Sequence, residues 1–308
     1  MNKEIFIDKQ ESAVLKGFAI LLIIWGHCHF LNDWGDVYRF HLTIFFILPF
    51  FYNNSMALSA DRVKRHAISC LVPYTWFFAI CSVVSYIVVG NRHIWYEYLL
   101  GYLNMPGYPV ERICGFVFPW FLLCYFVCGM YRMIVSRFIW VIMIPIIIGL
   151  VCCYDYTNIA WNGLFKYDLL MLNKAAYYFF LGFISVMMYK YIPYCRVGGA
   201  VAFIVFIALS MFGIEVPFCL YGISGFSFFW SLSKIMKGSR LLSFLGENSL
   251  YIYLLHIFVI NVLERILSRT FVNGLVIFVF TSVVSALMCL IISRMPTLQC
   301  WIFGRKHT

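Results

Sequence analysis

Four histidines, His27, His29, His41 and His256, stand inside long apolar runs, while all 13 carboxylates fall in loops or near the ends of those runs. An imidazole, with a reference pKa near 6.5, can take and return a proton at neutral pH. The ionisable chemistry buried along this chain is therefore imidazole chemistry. The first run reads Lys16-Gly-Phe-Ala-Ile-Leu-Leu-Ile-Ile-Trp-Gly-His27. Eleven helical steps are about three turns, so Lys16 and His27 share one stripe, with the histidine about 16 Å further along. His29, about 200° round the helix from His27, faces away. The second run opens Phe40-His41-Leu42-Thr43-Ile44-Phe45-Phe46 after the short joint 32–37, which brings His41 to the same side as His27. His27 could be a base for a hydroxyl with His41 orienting it, or a packed histidine held by a neighbouring carbonyl.

Two further constellations carry functional side chains. Asp61-Arg62-Val63-Lys64-Arg65-His66 places Arg62 and Arg65 three apart, on one helical face. Guanidinium forks suit phosphate, and with Lys16 the pair could clamp a phosphorylated donor; an ordinary basic loop beside a membrane is the alternative. Ser249, Tyr253 and His256 fall at i, i+4 and i+7, one face of one helix. That face could line a substrate or simply be packing.

The elements that must position these residues are membrane spans. Of 308 residues, 63% are apolar and only 12% charged, half the charge of an ordinary soluble domain. The mean hydropathy is +0.88, carried by runs of about the 20 residues that a helix needs to cross a bilayer. A soluble globular protein is excluded. The expected fold is all-α, a polytopic membrane bundle with spans near 13–31, 38–58, 67–90, 114–131, 138–154, 169–189, 197–214, 216–233, 246–264 and 272–293. The first is read as a retained span and not a signal peptide. Joint 91–113, with Pro106, Gly107 and Pro109, is expected to hold a surface helix. Ten such spans leave about a hundred residues for loops and tails, so residues 1–308 form a single integral-membrane domain with no soluble domain. With the N-terminus in the cytoplasm, sixteen of the 23 lysines and arginines lie inside and seven outside, which places both termini in the cytoplasm. Topology thus accounts for most of the +10 charge, and no nucleic-acid partner is expected. The twelve cysteines are scattered through apolar runs and read as packing thiols. A proton- or sodium-coupled transporter would place a carboxylate at mid-depth, and none stands there.

In order along the chain, Lys16-x10-His27, Phe40-His41-x3-Phe45-Phe46, Arg62-x2-Arg65 followed by Pro73-Tyr74, Pro119-Trp120-Phe121-Leu122, Gly182 and Ser249-x3-Tyr253-x2-His256 resemble membrane acyltransferase family 3. The set covers residues 12–260 and looks most like the short-looped, fucose 4-O-acetylase-like branch. The resemblance implies a multi-pass enzyme of the bacterial inner membrane, which moves an acyl group, usually acetyl, from cytosolic acetyl-CoA to a sugar hydroxyl on the outer side. It implies functional roles for Lys16, His27, Arg62 and Arg65, with His27 either the general base on the acceptor hydroxyl or a relay of the acyl group. With these go His41 as second base and Ser249, Tyr253 and His256 on the substrate side. The implied partners are membrane lipids, a polysaccharide or lipid-linked sugar as acceptor, and glycan-assembly proteins; no metal is implied. A polysaccharide or lipid-linked-sugar transporter is the alternative from a different class, and a non-catalytic component of a glycan-assembly complex is a third. The chain departs from the family at Ala13, where an acidic residue is usual, and at Pro49-Phe50, where Ser-Gly is usual.

Overall fold

The computed structural model describes residues 7–31, 37, 40–52, 58–116, 119–158 and 168–303. The helices are α1 Lys9–His27, α2 Thr43–Ile47, α3 Ala60–Val84, α4 Trp95–Tyr102, α5 Val110–Cys114, α6 Trp120–Arg137, α7 Met143–Asn158, α8 Leu172–Tyr191, α9 Cys195–Met211, α10 Phe218–Ile235, α11 Arg240–Glu247, α12 Ser249–Ile266, α13 Phe271–Ser293 and α14 Pro296–Phe303. Among the described residues there is no strand beyond one isolated bridge between Met105 and Tyr108. Among the described residues, four stretches are long and apolar enough to cross a membrane: Ala60–Val88, Leu169–Tyr191, Ser249–Ile266 and Phe271–Ser293. Two shorter apolar stretches are Ile139–Cys153 and Cys195–Met211.

The chain divides into two compact units, Met1–Asn53 with Leu181–Ile291, and Asn54–Phe180 with Ile292–Thr308. In the first, α1 is the core. Asp8 caps it, accepting from the N–H groups of Gln10 and Glu11 at 2.9 Å each, so the helix starts where the apolar run begins. Val14, Leu15, Ala19, Ile20, Ile23 and Ile24 are all buried, as expected of a helix apolar on every side. Short α11 lies directly on the N-terminal half of α1: a β-carbon on Gly246 would stand 1.8 Å from the Ala13 carbonyl oxygen, and one on Gly17 2.2 Å from that of Leu242. Main chain therefore rests on main chain, through two glycines. By contrast α13 exposes Val272, Val276, Val279, Val283 and Leu287, an apolar face suited to lipid.

The sequence-derived span 38–58 does not form a continuous helix. Within 38–58 the described residues give only five-residue α2 and a 3₁₀ turn over Leu48–Phe51, after which Tyr52 is extended. Pro49 lies at the start of that turn; lacking an N–H, it breaks the ladder there. Joint 91–113 holds two short helices, α4 and α5, in place of one. Residues 32–36 of the expected tight joint, and the loop containing Lys166, lie outside the described residues.

In the second unit, α3 is capped by Ser59, continues past Pro73 into a π turn over Ser85–Val89, and stops at Gly90, whose φ of +74° glycine tolerates without strain. Asp168 caps the start of α8 by accepting from the N–H groups of Asn173 at 2.6 Å and Lys174 at 2.9 Å. Burial pushes its carboxyl up to about 6, against the pull of those two N–H groups and the Lys174 charge.

Candidate functional site

At the C-terminal end of α1 three imidazoles meet. The ring of His27 lies edge-on to His256 at 5.0 Å between centroids and to His41 at 6.2 Å. The three residues are 7%, 1% and 0% exposed for His27, His41 and His256. Each Nδ1 lies against a carbonyl of its own chain segment: His27 on Ile23 at 2.8 Å, His41 on Val37 at 2.7 Å, and His256 on Tyr253 at 2.6 Å and Ile252 at 3.2 Å. A carbonyl oxygen only accepts, so each Nδ1 carries the hydrogen and each neutral ring keeps its lone pair on Nε2. His256 Nε2 is buried without a hydrogen-bond partner among the described residues.

Packing explains how His41 arrives there. The segment Phe40–Thr43 lies against Gly222 and Gly225, three apart on one face of α10. A β-carbon on Gly222 would stand 2.8 Å from a Thr43 methyl, and one on Gly225 3.1 Å from Phe40 Cβ. Phe40 packs edge-on to Phe203 at 4.8 Å, fixing the turn that carries His41. His256 comes from α12, where Tyr253 contacts its ring at 5.8 Å. Ser249 stands two turns earlier on that helix, away from the imidazoles. The geometry makes His256, not His41, the nearer partner of His27. Spacing along the sequence carried no signal for that pairing, because α1 and α12 are over 200 residues apart.

His29 is separate. Its side chain is 59% exposed and its Nδ1 pairs with Glu264 Oε2 at 2.8 Å, while its N–H donates to Oε1 at 2.6 Å. The pair ties the chain leaving α1 to the last turn of α12. In the N-terminal half of α1, Lys16 lies 5.8 Å above the Tyr52 ring, whose hydroxyl is 2.8 Å from Ser12 Oγ. Tyr52 gave no sign in the sequence of being Lys16's neighbour.

Arg62 and Arg65 belong to the second unit, in the first two turns of α3; Arg62 is half-buried and Arg65 exposed. His66 beside them is structural. Its Nε2 donates to the Phe126 carbonyl at 3.1 Å, leaving Nδ1 to accept from the Cys70 thiol at 3.8 Å. Gly129 is what admits the ring, since a β-carbon there would stand 2.1 Å from His66 Nε2. Among the described residues no group of three His, Cys, Asp or Glu side chains has the spacing of a metal site.

No curated protein and no solved structure matches the chain. The family model Acyl_transf_3, described as an acyltransferase domain, matches residues 7–294, a stretch that contains the three imidazoles, Lys16, Arg62 and Arg65. With nearly the whole chain matched, the protein belongs to membrane acyltransferase family 3.

Proposed function

We propose that this acyltransferase moves an acetyl group from cytosolic acetyl-CoA to a hydroxyl of a cell-surface or lipid-linked sugar, in the manner of the fucose 4-O-acetylase-like branch. The observation that supports this reading is the meeting of His27, His41 and His256, each with its Nδ1 on a backbone carbonyl and with His256 Nε2 buried without a hydrogen-bond partner among the described residues. His27 Nε2 takes the proton of the acceptor hydroxyl as its oxygen bonds to the thioester carbonyl carbon. The carbon–sulfur bond then breaks, and the proton passes from His27 to the departing sulfur. A second imidazole 5.0 Å away steadies the transient imidazolium. Lys16 in the first unit, and Arg62 with Arg65 in the second, are each assigned to the donor's phosphates, and Tyr253, beside His256, to the acceptor's approach. The protein sits in the bacterial inner membrane on ten spans with both termini in the cytoplasm, and glycan-assembly proteins supply or remove the acceptor.

The test is release of free thiol from acetyl-CoA by the purified protein, with and without a glycan acceptor. Acceptor-dependent release is expected. No release, with the sugar crossing proteoliposome membranes instead, would install the transporter reading.

Two predictions arise from this placement. Charge-assisted hydrogen bonds are worth about 1.5–3 kcal/mol each, so Arg62→Ala and Arg65→Ala should each weaken coenzyme A binding about tenfold or more while the fold persists. Lysine at either site should restore part of the affinity, lacking the planar fork. Normal binding by both alanine variants would reduce the pair to a topology signal. Cysteine-accessibility labelling should find positions 62–66 and 234–240 on the cytoplasmic side and 91–112 outside. Labelling of both sets from one side of the membrane would remove the ten-span arrangement.

A further inference from the structure

Around the indole of Trp230, near the N-terminal end of α1, several cationic and hydrogen-bond-donating groups converge. The Trp230 side chain is 2% exposed, and its Nε1 has no acceptor among the described residues, although an indole N–H can only donate. The ring is held between Tyr189 at 5.0 Å and Phe51 at 5.2 Å. Two cations flank it: Lys234 Nζ lies 5.3 Å from its centroid and the Arg196 guanidinium carbon 5.7 Å. Neither forms an ion pair among the described residues; Asp8 and Glu11, at this end of α1, attract Lys234 electrostatically but pair with Lys237. Like charges gathered at one ring repel, and each unpaired buried donor costs about 1–3 kcal/mol.

The start of α9 adds a fourth positive element. Arg196 lies in the first turn of this 17-residue helix, where the macrodipole already favours negative charge. No carboxylate stands in that turn and no side chain caps it; the capping position, Tyr194, is in the left-handed region. Gly199 seats the turn against α10, since a β-carbon there would stand 2.4 Å from Ser227 Oγ, one turn before Trp230. A β-carbon on neighbouring Gly198 would meet nothing within 4 Å, so the turn has open space beside it. A single oxyanion would satisfy the indole N–H, the two cations and the helix terminus together.

We propose that Arg196, Lys234, the Trp230 N–H and the first turn of α9 form a binding site for a phosphate ester, at the same end of α1 as Lys16. The site goes beyond the acyl-transfer reading and does not depend on it. Two sources could present this chemistry: a soluble phosphorylated ligand or the phosphodiester of an anionic lipid.

The test uses the full chain in nanodiscs. In discs of phosphatidylcholine alone, coenzyme A is titrated calorimetrically. In discs doped with phosphatidylglycerol, retention of that lipid is read by native mass spectrometry. Arg196→Gln and Lys234→Gln should each weaken one of these probes about tenfold, and Trp230→Phe, which keeps a ring but loses the N–H, severalfold. Loss of coenzyme A binding assigns the site to a soluble phosphate ester, and loss of lipid retention assigns it to a headgroup. Arg196→Lys keeps the charge and should retain most of the affinity, which separates loss of the anion from loss of fold. Lys190→Gln, a cation set against Tyr191, should change neither probe. If the Arg196→Gln, Lys234→Gln double variant binds both probes like the wild type, or Lys190→Gln loses as much as they do, the site does not exist.

Discussion

Replacing His27 by alanine is expected to remove acyl transfer to the acceptor while donor binding persists. A positioned general base contributes about 10²–10⁴-fold to rate, and His27 is the imidazole central to the cluster, edge-on to both His256 and His41. The loss should appear in the turnover rate, with the donor affinity unchanged, because the substitution leaves in place Arg62, Arg65 and Lys16, the residues proposed to bind the donor. His256→Ala should cost more than His41→Ala, since its ring is the closer one, at 5.0 Å against 6.2 Å. His29→Ala is the matched control: its ring is exposed and engaged by Glu264, so most activity should remain. Acylation of glycan would be followed in cells holding each variant at equal membrane level. Wild-type acylation by His27→Ala would end the proposed mechanism.

The second large effect is on stability, at the contact between α1 and α11. Gly246→Ala puts a methyl 1.8 Å from the Ala13 carbonyl oxygen, and Gly17→Ala puts one 2.2 Å from that of Leu242. Both obstacles are main-chain atoms, which cannot rotate aside as a side chain would, so α11 must move away from α1. Forcing extra volume into close packing costs about 1–3 kcal/mol and sometimes more; the upper part of that range is expected here for Gly246→Ala. The thermal midpoint of the detergent-solubilised chain should drop by several degrees. Gly238→Ala, where a β-carbon meets nothing within 4 Å, should leave it unchanged. A wild-type midpoint for Gly246→Ala would mean that α11 is not seated on α1 through these glycines.

Composition alone determined that this is a helical membrane protein, because 12% charge and repeated apolar runs leave no other way to satisfy backbone and side chains. Local spacing determined that Lys16 and His27 share one stripe of one helix, and the ordered motifs led to the family that the chain belongs to. These are short-range properties: helical periodicity and hydropathy are written in neighbouring residues. The break at Pro49 was equally local, yet a long apolar run concealed it, since hydropathy windows measure composition and not hydrogen-bond continuity. Only the tertiary structure decided that His256 is the nearest partner of His27, that Tyr52 lies under Lys16, and that Arg196 joins Lys234 at Trp230. Each of these contacts links segments far apart in the chain, and each depends on how closely two helices approach. At the approach of α9 to α10 a glycine sets the distance, Gly199 against Ser227, as Gly17 and Gly246 do between α1 and α11, and what a missing β-carbon allows depends on the atoms opposite it.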